Sequence, residues 1–273
     1  MEFNREKKIG WILTSLRKGG GSIYGKKARK ALSEEFNVET KNLETKYLKW
    51  RFLKPLGWLL GFIKLKGCKD LWIRHSFIDV AALPLGKAKG KNLALIYHID
   101  NSVSFLILRP FLFWIEKIFY HSLKKVDAIV TISEYWKNYF LDRGYSNVYK
   151  IYYGFDLTDF EFDSEEILEF KKKFRLEGKP IIYIGNCQKA KGVMEIWRAL
   201  RDLDVYLVTS GERMINIPAL NLDLEYRDYL RLLKTSSIVV AMSRFKEGWC
   251  ITAHEAMLCK TPVIGSGLGG MKE

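Results

Sequence analysis

Short apolar runs alternate with helical patterns along most of this chain, and that alternation restricts the folds open to it. In the second half KPIIYIG, DVYLVTSG and SSIVVAMS read as strands, while VMEIWRALRDL and YRDYLRLLKT read as helices between them. The stretch Ser243–Gly270 continues the series as strand end, acidic loop, helix, strand and glycine loop. The first half shows the same grammar. Strands are expected at Lys8–Leu16, Asp70–His75, Asn92–His98, Ala128–Ile132 and Val148–Tyr152, with a helix from about Ala28 and another capped by Ser133 with Glu134 in its first turn. A charged helix over Asp163–Arg175 and the breaker Glu177-Gly178-Lys179-Pro180 place a junction near 154–180. The expected fold is α/β, with two Rossmann-like parallel-sheet domains facing each other across a cleft. Their expected extents are 1–155 and 156–273.

Composition narrows the partners. Lys+Arg 45 against Asp+Glu 31 gives a net charge of +14, which suits nucleotides, phosphorylated substrates, lipid headgroups or nucleic acid. Cys68, Cys187, Cys250 and Cys259 form no CxxC pair and no His/Cys ligand cluster, so no zinc site is expected. Scattered cysteines fit a reducing cytoplasm. No apolar run reaches the roughly 18–20 residues that span a bilayer, and the start MEFNREKKIG has no apolar signal core.

The candidate site residues cluster around Ser243–Gly270. Glu247 precedes the expected helix and Glu255 lies within it. Gly248 admits close backbone approach, and the amides of Trp249, Cys250, Ile251 and Thr252 open toward an anion at a helix N-terminus. A nucleotide sugar, with phosphates flanked by hydroxyls, would use all of these; a buried helix with two solvated glutamates is the plainer alternative. Lys189 and Lys191 follow the strand KPIIYIG, placed to neutralise a diphosphate, or simply solvated. His98, two residues before Asp100, ends a strand where parallel sheets collect ligands, whereas His75 reads more simply as structural. The glycines of RKGGGSIYGKK fail GxGxxG. They nearly fit GxxxxGK[ST] through Gly20, Gly25 and Lys26, but Lys27 stands where a Mg²⁺-binding hydroxyl belongs. An anion-tolerant glycine loop is the preferred reading there. Lys46–Lys66, with bases interleaved among Tyr47, Trp50, Phe52, Trp58 and Phe62, fits peripheral membrane contact or a packed helical hairpin about equally, with nucleic acid well behind. Phe105–Tyr120 has the same character with a core helix inside it.

Four segments in order, VDAIVTISEYWK, YYGFDLTDF, IIYIGNCQKAKGVMEI and EGWCITAHEAMLCKTPVIGSGLGG, resemble the retaining GT-B glycosyltransferases of family 4, the glycosyl transferases group 1 type. The last carries the family's E-x7-E pattern through Glu247 and Glu255. The resemblance implies metal-independent, cofactor-free transfer of a hexose from a UDP- or GDP-linked donor to a lipid-linked or glycan acceptor, with retention of configuration. The scattered cysteines and the basic, aromatic Lys46–Lys66 stretch, rather than the resemblance, suggest a cytoplasmic protein, peripheral on the membrane's cytoplasmic face. By resemblance Glu255 holds the ribose and Glu247 a sugar hydroxyl. Lys191, aided by Lys189 and the amides of Gly248, Trp249, Cys250 and Ile251, holds the diphosphate. Gly20 and Gly21 border the phosphates, and His98 stands close to the sugar on the acceptor side. Glu247 and His98 are the residues nearest the chemistry.

Three departures accompany the match. Asn186 replaces an arginine usual beside the diphosphate lysine. Cys250 and Lys260 replace glycines, which predicts altered loop and turn geometry. The sequence ends at GGMKE where family members continue, so the second domain is expected to be incomplete: either the protein is short or truncated, or a partner covers the exposed edge. These departures keep two alternatives in view: a catalytically silent GT-B-like protein that binds nucleotide sugar or a partner, and, less favoured, a P-loop-like NTPase.

Overall fold

The computed structural model describes residues 7–13, 20–43, 60–63, 65–75, 77–85, 87–99 and 109–273, with backbone alone at 20–23 and 109–112. It divides into two units, Met1–Tyr152 and Tyr153–Glu273.

The first unit runs β1 (Lys8–Leu13), α1 (Gly20–Glu35), β2 (Asn37–Asn42), β3 (Lys66–Arg74), α2 (Phe77–Ala81), β4 (Lys87–Ile96), α3 (Arg109–Leu123), β5 (Ala128–Thr131), α4 (Glu134–Leu141) and β6 (Val148–Lys150). Its six strands form one parallel sheet in the order β2-β1-β3-β4-β5-β6. Local chemistry explains the elements. Ser133 Oγ accepts from Trp136 N at 3.3 Å and starts α4, which then buries Trp136 and Phe140 one turn apart. Phe119 and Leu123 of α3 pack with Ala94, Ile96, Ile129 and Val148 in the core under the sheet.

The second unit runs α5 (Ser164–Lys173), β7 (Ile181–Asn186), a 3-10 turn (Lys189–Lys191), α6 (Val193–Leu200), β8 (Tyr206–Ser210), β9 (Leu220–Leu222), α7 (Tyr226–Thr235), β10 (Ile238–Ala241), α8 (Ile251–Leu258) and β11 (Val263–Gly265). Its five strands are parallel in the order β11-β10-β7-β8-β9. In β7, Ile181 and Tyr183 join the core shared with α5, α7 and α8, while Ile182 and Ile184 join the core shared with α6. A strand buried on both faces must read as an unbroken apolar run, and KPIIYIG does.

Several expectations need correction. Gly20, Gly21 and Gly25 lie in α1, not in a loop before it. A Cβ at Gly25 would meet Tyr97 Oη at 3.2 Å and Trp11 Cζ2 at 3.6 Å, so that glycine lets the helix approach β1 and β4 closely. Because Gly20–Lys26 is helical, no loop of amides wraps a phosphate there, and the P-loop reading is overturned. Cys250 and Lys260 do not abandon the geometry glycine favours: both are left-handed, with φ of 48° and 62°. Strands β2 and β9 are additions to the strands that the sequence predicts. Gly19, Asp100 and most of 46–66 lie outside the described residues, although Phe62 is buried against Ile12 and Trp72.

Candidate functional site

The second sheet changes direction between β7 and β10. The chain leaves β7 outward to β8 and β9, then returns to lay β10 on the other side of β7. The helices that follow these two strands, α6 and α8, pack in the cores on opposite faces of the sheet, and the crevice between them is where open α/β sheets take ligands. Here the loops after β7 and β10 are tied together: Arg244 N donates to Ala190 O at 2.9 Å. Gly192, at φ 69°, lets them touch, since a Cβ there would stand 2.3 Å from Met242 O.

At this point Lys191 Nζ donates to Glu247 Oε1 at 2.7 Å, and Ser243 Oγ donates to the same oxygen. Glu247 is buried, so its charge requires these partners. The Lys191 ammonium also lies 4.9 Å from the Phe245 ring centroid and keeps some exposure, which leaves it a donor for an incoming anion. The Glu247 backbone is pinned independently: its carbonyl accepts from Gly270 N at 2.8 Å and its amide donates to Leu268 O at 3.3 Å. Gly269 makes this possible, because at φ 67° a Cβ would sit 2.5 Å from Glu247 O.

Glu255 is buried on α8 and accepts from Tyr226 Oη at 3.0 Å. Burial, together with this carboxylate, raises the Tyr226 pKa far above its ordinary value, so the phenol stays a donor. Tyr229 Oη donates to Thr252 Oγ1 at 3.1 Å, and the Tyr183 and Ser210 hydroxyls hydrogen-bond to each other at 2.7 Å. Cys250 is the N-cap of α8, and its carbonyl accepts from Ala253 N at 3.0 Å and contacts His254 Nδ1 at 3.1 Å. Burial lowers the His254 pKa below 6.5, keeping the ring neutral at pH 7 with Nδ1 as donor. That ring stacks on Trp249 with centroids 3.6 Å apart, and Phe155 lies 6.0 Å from Trp249 and 6.3 Å from His254 in near-parallel planes.

Lys191, Glu247, buried Gly248, Trp249, Cys250, Ile251 and Glu255 thus gather around the start of α8, with Lys189 exposed in the adjoining turn. Gly20 and Gly21 begin α1 and His98 follows β4; all three belong to the first unit. His98 is exposed beside a cavity of about 120 Å³ that His75, Tyr97 and Phe119 also line. Sequence reading missed Ser243, Tyr226 and His254. Ser243 and His254 each lie four residues from a site residue, Glu247 and Cys250, a spacing that offers a hint. Tyr226 offers none, being brought to Glu255 from 29 residues away.

Solved structures place the class of the fold. HepE from Anabaena, crystallised with UDP-glucose, superposes with a TM-score of 0.70 at 15% identity, over 97% of this chain and 82% of that one. Sucrose-phosphate synthase from Thermosynechococcus elongatus gives 0.75 at 16%, over 97% and 82%. A glycosyltransferase from Rickettsia africae gives 0.58 at 18%, over 97% and 80%. The architecture is GT-B, two parallel-sheet α/β domains. Residues 164–273 match the family of glycosyl transferases group 1, so the match covers most of the second unit. A sequence search among curated proteins finds no match.

Proposed function

We propose that this chain is a glycosyltransferase of the group 1, family 4 type, moving a hexose from a UDP- or GDP-linked donor to a lipid-linked or glycan acceptor with retention of configuration. The observation that supports it most is the Lys191–Glu247–Ser243 constellation at the β7/β10 switch point, beside the N-terminus of α8. A departing nucleoside diphosphate gains negative charge as the sugar–phosphate bond breaks. A preplaced ammonium and helix-start amides stabilise that charge without a metal ion. In this reading Lys191 and Lys189 hold the diphosphate with the amides of Gly248, Trp249, Cys250 and Ile251. Glu255 takes the ribose hydroxyls in exchange for Tyr226, and Glu247 takes a hydroxyl of the sugar. Residues 1–155 form the acceptor-side domain, with His98 its contribution to transfer, and residues 156–273 form the donor domain. UDP and UDP-glucose occupy solved structures of HepE, which shares the fold, and this makes UDP-linked donors the first to try.

The test is a thermal-shift panel of UDP- and GDP-sugars. At least one donor is expected to raise the melting temperature, by an amount growing with its concentration, and Glu255→Ala is expected to abolish that rise. Absence of any shift across the panel would overturn the reading. A second reading, donor binding without transfer, is favoured by Asn186, which ends β7 in place of an arginine and so removes one bidentate cation from the crevice. Donor hydrolysis or sugar transfer above background excludes it; a thermal shift with neither supports it.

A further inference from the structure

The chain's net positive charge comes from one unit. Residues 1–152 carry 28 Lys and Arg against 13 Asp and Glu, whereas residues 153–273 carry 17 against 18. On the basic unit α3 buries Phe119 and Leu123 and turns its opposite face to solvent. That face exposes Phe113 (56%), Trp114 (68%) and Ile118 (44%), interleaved with exposed Lys117 and His121 and followed by exposed Lys124 and Lys125. Lys117 Nζ lies 4.5 Å from the Phe113 centroid, so the cation rides over the ring it flanks. The helix's acidic residue, Glu116, is half-buried at the margin of the face. Two aromatics and an isoleucine on one outward helix face form a patch that a monomer in water has reason to avoid.

We propose that this face of α3 lies on an anionic lipid surface, with Phe113, Trp114 and Ile118 entering the headgroup layer and Lys117, Lys124 and Lys125 pairing with lipid phosphates. Charge and chemistry both select this occupant. A unit with such an excess of cations is drawn to an anionic surface before any contact forms. Indole and phenyl groups beside ammonium groups are the side chains that settle at a water–hydrocarbon boundary. Ile118 has no part to play in stacking on bases, whereas a headgroup layer accepts all three apolar side chains. Among the described residues no helix is long and apolar enough to cross a membrane, so the contact is peripheral. The inference is independent of the donor-site reading, because it concerns α3 alone.

Co-sedimentation of the full chain with phosphatidylcholine vesicles, with and without phosphatidylglycerol, tests it. Binding is expected to need the anionic lipid and to fall as salt rises. Phe113→Ser with Trp114→Ser should weaken binding by at least about tenfold, and Lys117→Glu by about fivefold. Since these side chains are exposed, both variants should keep the wild-type urea-unfolding midpoint and any donor-induced thermal shift, which separates loss of docking from loss of folding. Equal partitioning of wild type and double variant would overturn the proposal. So would tight binding to a single-stranded oligonucleotide with none to vesicles, or a dimer that the double substitution dissolves while vesicle binding is absent. A missing donor shift in the wild type would strike the functional reading and leave the vesicle result standing.

Discussion

Cys250 and Lys260 hold left-handed backbone on either side of α8, where an L side chain crowds the following carbonyl. At Lys260 the cause is visible. Lys260 N donates to Met257 O and Thr261 N to Ala256 O, both at 2.9 Å, which is the Schellman ending, and its left-handed position normally falls to glycine. Lys260 is exposed, so its side chain offers little to offset the strain. Lys260→Gly is therefore expected to stabilise the protein by ~0.5–1 kcal/mol, read as a rise in the urea midpoint, and a fall would show that the lysine contributes something the turn geometry does not reveal. Residue identities around the site were legible to different degrees. Glu247, Lys191 and Glu255 stand out because short spacing and neighbouring glycines constrain them. Tyr226 and Ser243 do not, because what matters about them is which carboxylate the fold brings to their hydroxyls.

Among the elements, α5 and α7 are joined by a charge network as well as by the apolar core they share. Glu166 accepts from Arg227 Nε and Nη2 at 2.9 Å and from Arg231 Nε at 2.6 Å, while Arg227 also donates to Asp159 O at 2.7 Å and Glu161 O at 2.8 Å. Burial acts to raise the Glu166 pKa, but the two guanidinium groups outweigh it and hold the carboxyl below 4.5. A carboxyl depressed on folding stabilises the fold above its unfolded pKa and loses that contribution as pH falls through its folded value. Glu166→Gln should then cost about 1–2 kcal/mol at pH 7, and the difference from wild type should shrink below pH 4.5. Urea titrations at neutral and acid pH check this; a cost that is independent of pH would assign the effect to packing. The strands show what sequence can reveal at this scale. Central β7 and β10 are buried on both faces and announce themselves as apolar runs, while β2 (NVETKN) and β9 (LNL) sit at sheet edges and need no such run. The Lys-rich starts of β3 and β4 were likewise invisible, since they pair with each other through backbone bonds rather than by apolar pattern.

At the scale of the whole molecule, the two units differ in charge and in how each holds its candidate residues. The near-neutral second unit contains Lys191, Ser243, Glu247, Tyr226 and Glu255, and every contact among them is internal to residues 153–273. Its parallel sheet is covered on both faces by helices of the same unit, giving it a core of its own. The alternation of strand and helix made that architecture readable from the sequence, because a parallel strand cannot return without a crossover and the crossovers carry the helical pattern. If donor recognition resides in this unit, residues 153–273 expressed alone should bind the same nucleotide sugar that shifts the full chain. The affinity should fall by no more than about tenfold. Calorimetric titration of the fragment beside the full chain measures this, with Lys191→Met as the control that should remove binding from both. A folded fragment without affinity would instead assign essential donor contacts to residues 1–152, and His98 and the start of α1 would be the first positions to substitute.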